Sequence, residues 1–345
     1  MTEKYTIKDI AKLAGVSKGT VDRVLHKRGK VSKIALDKVT KILNEIDYKP
    51  NLIARNLKNN KRYLFYILMP DPDIDPYWAP CLEGIKNANE EYAPFNVYIT
   101  SLFFNPESTA SFLEVSSQVI SQSPDAVLLP PLFYKESLEM IAKFHEKGIL
   151  VATFNNAIKS KFIKYFVGQD LIQSGKVAAK LLESVLKKGD IAIIHLNEVY
   201  KNAVHMQEKE KGFRAFFDTK NNTAFNITTC KIKQPYLAQS LTTLLKENPT
   251  INGIFVTTSK AYQVAEVIHE LKLDIAIVGY DLLENNLKHL EKGTVDFLIH
   301  QNQKMQVYLG ITYLLENLLF SKEISDTKLL PIDIINSENA KYYLP

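Results

Sequence analysis

Two groups of residues in this 345-residue chain have types and spacings suited to recognition chemistry. The first is Lys18, Gly19, Asp22, Arg23 and His26, which a helical repeat places on one outward face. Arg23 is the natural bidentate donor to guanine O6 and N7, and a carboxylate such as Asp22 accepts from cytosine N4. The second group is a set of Asp, Asn and Gln residues that follow apolar runs. It comprises the tract DPDIDPYWAP at 71–80, the pair Asn155 and Asn156, Asp281, and Gln301. Carboxylates and carboxamides offer paired donors and acceptors to hydroxyl groups, and Tyr77 and Trp78 offer ring faces to C–H bonds. Polar edges and apolar C–H faces are the two sides of a sugar ring.

Catalytic patterns are missing. Residues 69–78 read MPDPDIDPYW after the first apolar run, without GxGxxG or GxxxxGK, so no phosphate loop is expected. The seven histidines include no HExxH pair, and His195 and His205 read as buried or surface residues. Asp71, Asp73 and Asp75 alternate as in a calcium loop, but the required Gly and the distal Glu are absent, so they read as cleft-lining and capping residues. Cys81 and Cys230 form no disulfide framework and no metal spacing. No enzyme activity, cofactor or metal is expected.

The elements that position the first group are legible at the N-terminus. Residues 1–62 carry 16 Lys and Arg against 6 Asp and Glu, whereas the whole chain is only +5. A basic head on a mildly acidic body is the footprint of a nucleic-acid binder. Apolar residues keep a helical spacing from Ile7 to Ala14, and the phase restarts after Gly15. Gly15 can take the positive φ that a sharp break requires. Ser17 then caps a second helix to about Leu25, whose Val21 and Val24 face the first. A short turn between two such helices is a helix-turn-helix, which lays its second helix in the major groove. A third helix is expected from about Lys33 to Ile46, capped by Ser32, with Val39, Ile42, Leu43 and Ile46 buried and Tyr48 closing the small core. Pro50 opens a short amphipathic segment, 51–57, which is too short to stay helical alone in water. A twin segment from a second subunit on DNA would supply its partner.

From Tyr63 onward, apolar runs such as YLFYILMP, DAVLLP, GILVATF, DIAIIHL and IAIVGY alternate with amphipathic helices. That pattern means doubly wound parallel sheets covered on both faces, here in two lobes. No Pro/Gly/Ser-rich linker separates the lobes, so several crossing strands are expected. Ligands of open α/β sheets sit beyond the carboxyl ends of the strands, which is where the second group falls. No run reaches eighteen apolar residues, and the N-terminus lacks a signal-peptide core, so a cytoplasmic protein without a membrane partner is expected.

Residues 5–58, including TIKDIAKLAGVSKGTVDRVLHKRGKVS and YKPNLIARNL, resemble the head of the LacI/GalR family of transcription regulators. The resemblance implies that Lys18, Gly19 and Arg23 read base edges. It implies phosphate contacts for Ser17, Thr20, His26, Tyr48 and Asn51, with Thr6 and Ala54 in the same DNA-contacting set. Leu57 is the implied minor-groove wedge at the operator centre. Asp22 stands where the family usually has Ser, which implies a different operator. Residues 63–335 resemble the type I periplasmic-binding-protein fold that these regulators carry, nearest to its ribose-binding branch. DPYW (75–78) is similar to that branch's NPFF, which implies Asp75, Tyr77 and Trp78 as ligand contacts. VGYD, ending at Asp281, is similar to VGFD, and HQNQ, carrying Gln301, to AQxP. Asn155 and Asn156 stand where that branch has Asp-Arg, and Ser259-Lys260 where it has Asn-Asp. QEKEKGF (207–213) is similar to RERGEGF, with Gln207 or Lys209 in place of its arginine.

The organisation implied is an all-α helix-turn-helix head at 1–49, a hinge helix at 50–60 and an α/β two-lobed sensor at 61–345. The function implied is that of a sequence-specific regulator, a repressor by the commoner family arrangement. It would act as a homodimer on a pseudo-palindromic operator, under control of a small-molecule effector, a monosaccharide or derivative. A free sugar-binding protein would have no use for the head, and a nucleotide-dependent enzyme would need the missing phosphate loop.

Overall fold

The computed structural model describes residues 5–25, 29–46, 48, 61–196, 204–219 and 224–344. Packing divides the chain into two units, Met1–Asn59 and Asn60–Pro345.

In the first unit, helices α1 (Ile7–Ala14), α2 (Lys18–Leu25) and α3 (Lys33–Glu45) enclose a core of Ile10, Ala11, Ala14, Val21 and Val39. Tyr48 and the partly buried Val24, Ile42, Leu43 and Ile46 pack against it. Thr6 and Asp9 form a reciprocal capping box at the start of α1, and Gly15 ends that helix at φ 63°. Ser32 caps α3 by accepting from Ala35 N.

The second unit contains two six-stranded sheets. The first runs β11-β5-β4-β3-β1-β2, from Thr327–Leu329, Ile163–Gly168, Leu150–Asn155, Ala126–Leu129, Tyr63–Pro70 and Val97–Phe104. The second runs β12-β10-β9-β8-β6-β7, from Asp333–Ile335, Phe297–His300, Ala276–Tyr280, Ile251–Val256, Gly189–Leu196 and Phe225–Ile232. Position by position the two orders are the same, so the lobes are internal counterparts with β4 matching β9. Strand pairs are parallel except β12, which runs antiparallel to β10. Central strands are buried on both faces, β3 and most of β4 and β6 completely, as continuous apolar runs require.

β5, β7, β11 and β12 lie outside the apolar runs singled out from the sequence. β7 alternates polar and apolar residues because it is the edge of its sheet, and β11 and β12 are three-residue edge strands. Among the described residues the chain passes between the lobes three times. It leaves β5 for the helix Leu171–Val185, leaves β10 for the helix Gln303–Phe320, and runs from β11 to β12. Gln303–Phe320 packs on β3, β4, β5 and the helix Ala79–Tyr92 of the first lobe.

Candidate functional site

On the head, α2 presents Lys18, Gly19 and Arg23 to solvent, with Asp22 half-buried beside them. Ser17 Oγ accepts from Thr20 N at 3.2 Å and lies 2.9 Å from Thr20 Oγ1, so both hydroxyls sit at the helix N-terminus. Thr6 uses its hydroxyl within the capping box: Oγ1 donates to Asp9 Oδ2 at 2.6 Å and accepts from Asp9 N at 3.3 Å. Tyr48 is half-buried, and burial raises its phenol above the ordinary value. His26, Asn51, Ala54, Leu57 and the segment 50–60 lie outside the described residues.

In the second unit the two sheets bring their strand ends into one polar cluster. Asp281 follows β9 and is 1% exposed. Its Oδ1 accepts from Gln301 N (3.1 Å) and Gln303 Nε2 (2.8 Å), and its Oδ2 from Gln301 Nε2 (2.7 Å). Gln306 Nε2 donates to Gln301 O at 2.7 Å. Asn155, at the end of β4, donates through Nδ2 to Gln306 Oε1 (3.5 Å) and to the Tyr77 hydroxyl. A continuous hydrogen-bonded chain thus runs from Tyr77 and Asn155 of the first lobe to Asp281 of the second.

Asn155 and Asp281 occupy matching places in the two lobes, and both have positive φ, 68° and 67°. Asn and Asp tolerate the left-handed region better than bulkier residues because their short side chains bond locally. Left-handed geometry at each strand end turns the chain as it leaves the sheet.

Burial pushes the Asp281 carboxyl above its ordinary value, against the charges of His300 and Lys209 and the bonds from Gln301. Burial, and then the Asp281 charge, pushes the Tyr77 phenol up as well. Behind Asp281, Lys209 is 2% exposed; its Nζ donates to Thr257 O at 3.0 Å and lies 3.6 Å from the centre of the Tyr280 ring. Tyr280 shares a 2.8 Å hydroxyl bond with Ser174. Glu210, next to Lys209, meets His195 Nε2 at 2.7 Å and Arg214 Nε at 2.8 Å. Desolvation alone would raise Glu210, but bonds from His195, Thr229 and Arg214 outweigh it and hold the carboxyl at about 2. His195 also bonds Thr257 Oγ1 at 2.8 Å, which makes it a support of the cleft wall.

Of the other residues singled out from the sequence, Asn156 and Ser259 are buried at strand ends, and Gln207 is half-buried on the helix Val204–Thr219. Asp75 caps the short helix Pro76–Trp78 by accepting from Tyr77 N at 3.2 Å. Trp78 joins the first lobe's apolar core, edge-on to Tyr77 and Phe154 at 4.8 and 5.9 Å. Sequence inspection did not single out Gln303, Gln306 or Asn286. The amide run at 301–306 was the available signal, since residues 303 and 306 share one helical face. Asn286 is fully buried; its Nδ2 donates to the carbonyls of Ser259, Tyr280 and Asp281, which ties the ends of β8 and β9 together. Two surface hollows, about 310 Å³ along Glu266–Lys292 and about 540 Å³ along Ala157–Thr327, contain none of the hydrogen-bonded residues of the strand-end cluster.

Two lobes of matching strand order, with polar side chains converging where their strands end, define a binding domain of the periplasmic type. Residues 65–322 match the periplasmic binding protein domain family, and residues 6–51 match the bacterial regulatory proteins of the lacI family. The chain belongs to the lacI family of bacterial transcription regulators, and it is a DNA-binding regulator with a ligand-binding domain.

The ribose operon repressor of Halalkalibacterium halodurans is 27% identical over 285 residues, 80% of each chain. The NTD biosynthesis operon regulator of Bacillus subtilis is 29% identical over 238 residues, 67% of this chain and 60% of that regulator's own length. Among solved structures, a LacI-type regulator from Bacteroides fragilis gives a TM-score of 0.77 at 29% identity, covering 82% of this chain and all (100%) of that one. A solute-binding protein from Burkholderia graminis in complex with D-arabinose shares the fold, with a TM-score of 0.73 at 17% identity, over 84% of this chain and 100% of its own. Among the described residues no helix is long and apolar enough to cross a membrane.

Proposed function

We propose that the chain is a cytoplasmic, homodimeric repressor that releases a pseudo-palindromic operator when an uncharged, monosaccharide-sized ring enters the strand-end cleft. The observation that carries this is the chain of hydrogen bonds from Tyr77 and Asn155 through Gln306 and Gln301 to Asp281. Carboxamides, a phenol and one carboxylate match hydroxyls that both donate and accept. Lys209 is the ammonium beside this group among the described residues, and it is directed at Thr257 O and the Tyr280 ring. The cleft is therefore built for hydroxyls more than for a phosphate or carboxylate. Relatives named for ribose repression, and a fold shared with a D-arabinose complex, support a ring of pentose or hexose size.

A ring seated between the lobes would bond both at once and change their relative orientation. In a dimer that reorientation alters how two heads reach two half-sites. The head would use Lys18, Gly19 and Arg23 on base edges, with Leu57 as the minor-groove wedge.

Calorimetric titration with D-ribose, D-arabinose, D-galactose and D-ribose 5-phosphate tests the ligand class. Saturable heat is expected from an uncharged sugar, lost in Asp281→Ala, with the phosphate ester inert. Binding of the phosphate ester alone would overturn the uncharged-ring assignment, and silence from the whole panel would remove the sugar.

A further inference from the structure

The three passages between the lobes meet at one side chain. Gln169 follows β5 in the first passage and is 3% exposed. Its Nε2 donates to His300 O at 2.9 Å, at the mouth of the second passage, and to Pro331 O at 2.5 Å, within the third. A backbone bond reinforces the junction, Leu330 N donating to Gly168 O at 2.7 Å. The two hydrogens of a carboxamide nitrogen are thus both used, each on a different passage. The partner atom, Gln169 Oε1, is buried without a hydrogen bond among the described residues. Both donors point at carbonyls, which fixes the amide's orientation despite that orphaned oxygen.

We infer that Gln169 is the positioning residue that sets the relative orientation of the two lobes. Rotation of one lobe against the other must be absorbed in the backbone angles of residues 169–170, 301–302 and 330–332. Those changes displace the His300 and Pro331 carbonyls relative to Gln169, so its two bonds are made together only when all three passages hold this arrangement. Gln169 therefore stabilises the observed arrangement against rotated ones without touching the ligand cluster. Its consequence for effector response rests on the proposed function above; its effect on the lobes does not.

Two near-isosteric substitutions separate the contributions. Gln169→Glu turns an oxygen toward both carbonyls, and Gln169→Met removes the donors, the orphaned oxygen and any charge. Amide hydrogen exchange of the full ligand-free chain is followed by mass spectrometry alongside its melting temperature. Faster exchange is expected in peptides covering 299–306 and 329–335, on the order of tenfold for the loss of two hydrogen bonds. The β8 peptide 251–256 should keep its wild-type rate. Unchanged exchange at the passages in both variants would overturn the assignment. A rise shared equally by 251–256 and tracking a lower melting temperature would overturn it too, since Gln169 would then support only overall stability. If Gln169→Glu does not fold, Gln169→Met decides between these outcomes. No ligand is used, so an error in the sugar assignment would leave this result standing.

Discussion

Arg23 and Glu210 show how differently single residues act in the two units. Arg23 stands exposed on α2, and its proposed role is to read a base pair. Arg23→Ala should weaken binding by about 1–3 kcal/mol at one base-pair position and relax specificity there. Binding to a set of single-base operator variants checks this; equal weakening on all of them would assign Arg23 to phosphate. Glu210 works inside the second lobe. Its carboxyl sits at about 2, below the ordinary carboxylate range, because three hydrogen-bonding partners outweigh its desolvation. A depressed carboxyl adds stability above its unfolded value and loses it as the pH falls toward its folded value. Wild-type stability should therefore drop between about pH 4.5 and 2, by roughly 1–2 kcal/mol from this group once solvent screening is allowed for. Glu210→Gln should flatten that part of the profile, as urea unfolding at a series of pH values would show. An unchanged profile would mean that the His195–Glu210–Arg214 network is not formed in solution.

At the scale of elements, the cleft depends on how closely two helices approach. Leu171–Val185 and Val204–Thr219 cross through Gly175 and Gly212. A Cβ at Gly175 would lie 2.0 Å from Lys209 O, and one at Gly212 would lie 1.9 Å from Ile172 O. Either contact is far inside van der Waals range and is with backbone, so the helices would have to separate. Gly212→Ala should cost about 1–3 kcal/mol, the usual range for overpacking. Because Lys209 rides on the same helix, it should also disturb the Lys209–Thr257 bond and weaken effector binding. Denaturant unfolding and calorimetry on one preparation check both effects. In the head, Thr6→Ala should remove the capping box and cost about 1 kcal/mol, measured as a lower melting temperature.

The same scale explains what could be read before the structure. Strands largely buried on both faces, such as β1, β4 and β6, are built on apolar runs that stand out from their flanks. β7 alternates because one side of it meets water, and β5 is interrupted by Lys164, so neither has that signature. Asp281, Asn155 and Gln301 were legible because position after a strand is itself informative. Gln303, Gln306, Asn286 and Gln169 were not. A Gln in the first turn of a helix, or an Asn within one, reads as an ordinary surface residue until packing encloses it, and Gln169 was hidden because β5, which precedes it, lacks the apolar signature of a strand. Trp78 reads from the sequence as a ligand-facing ring; in the structure it packs edge-on to Tyr77 and Phe154, and both it and Tyr77 belong to the first lobe's core.

For the whole molecule, the matching strand orders of the two lobes carry the functional logic. Two counterpart sheets deliver Asn155 and Asp281 to one cluster from opposite sides, so a ligand that bonds both reports on lobe arrangement. The basic head predicts steep loss of operator affinity with salt, since each neutralised phosphate releases counterions. Occupancy of the strand-end cluster should change affinity for DNA. The most direct test is fluorescence anisotropy with a labelled operator selected by the full-length protein from a random duplex pool. It is measured with and without a saturating amount of whichever uncharged sugar binds in calorimetry. A change in operator affinity worth about 1–3 kcal/mol, some 5- to 150-fold, is expected, and it should be absent in Asp281→Ala. Equal operator affinity with and without a sugar that demonstrably binds would contradict it.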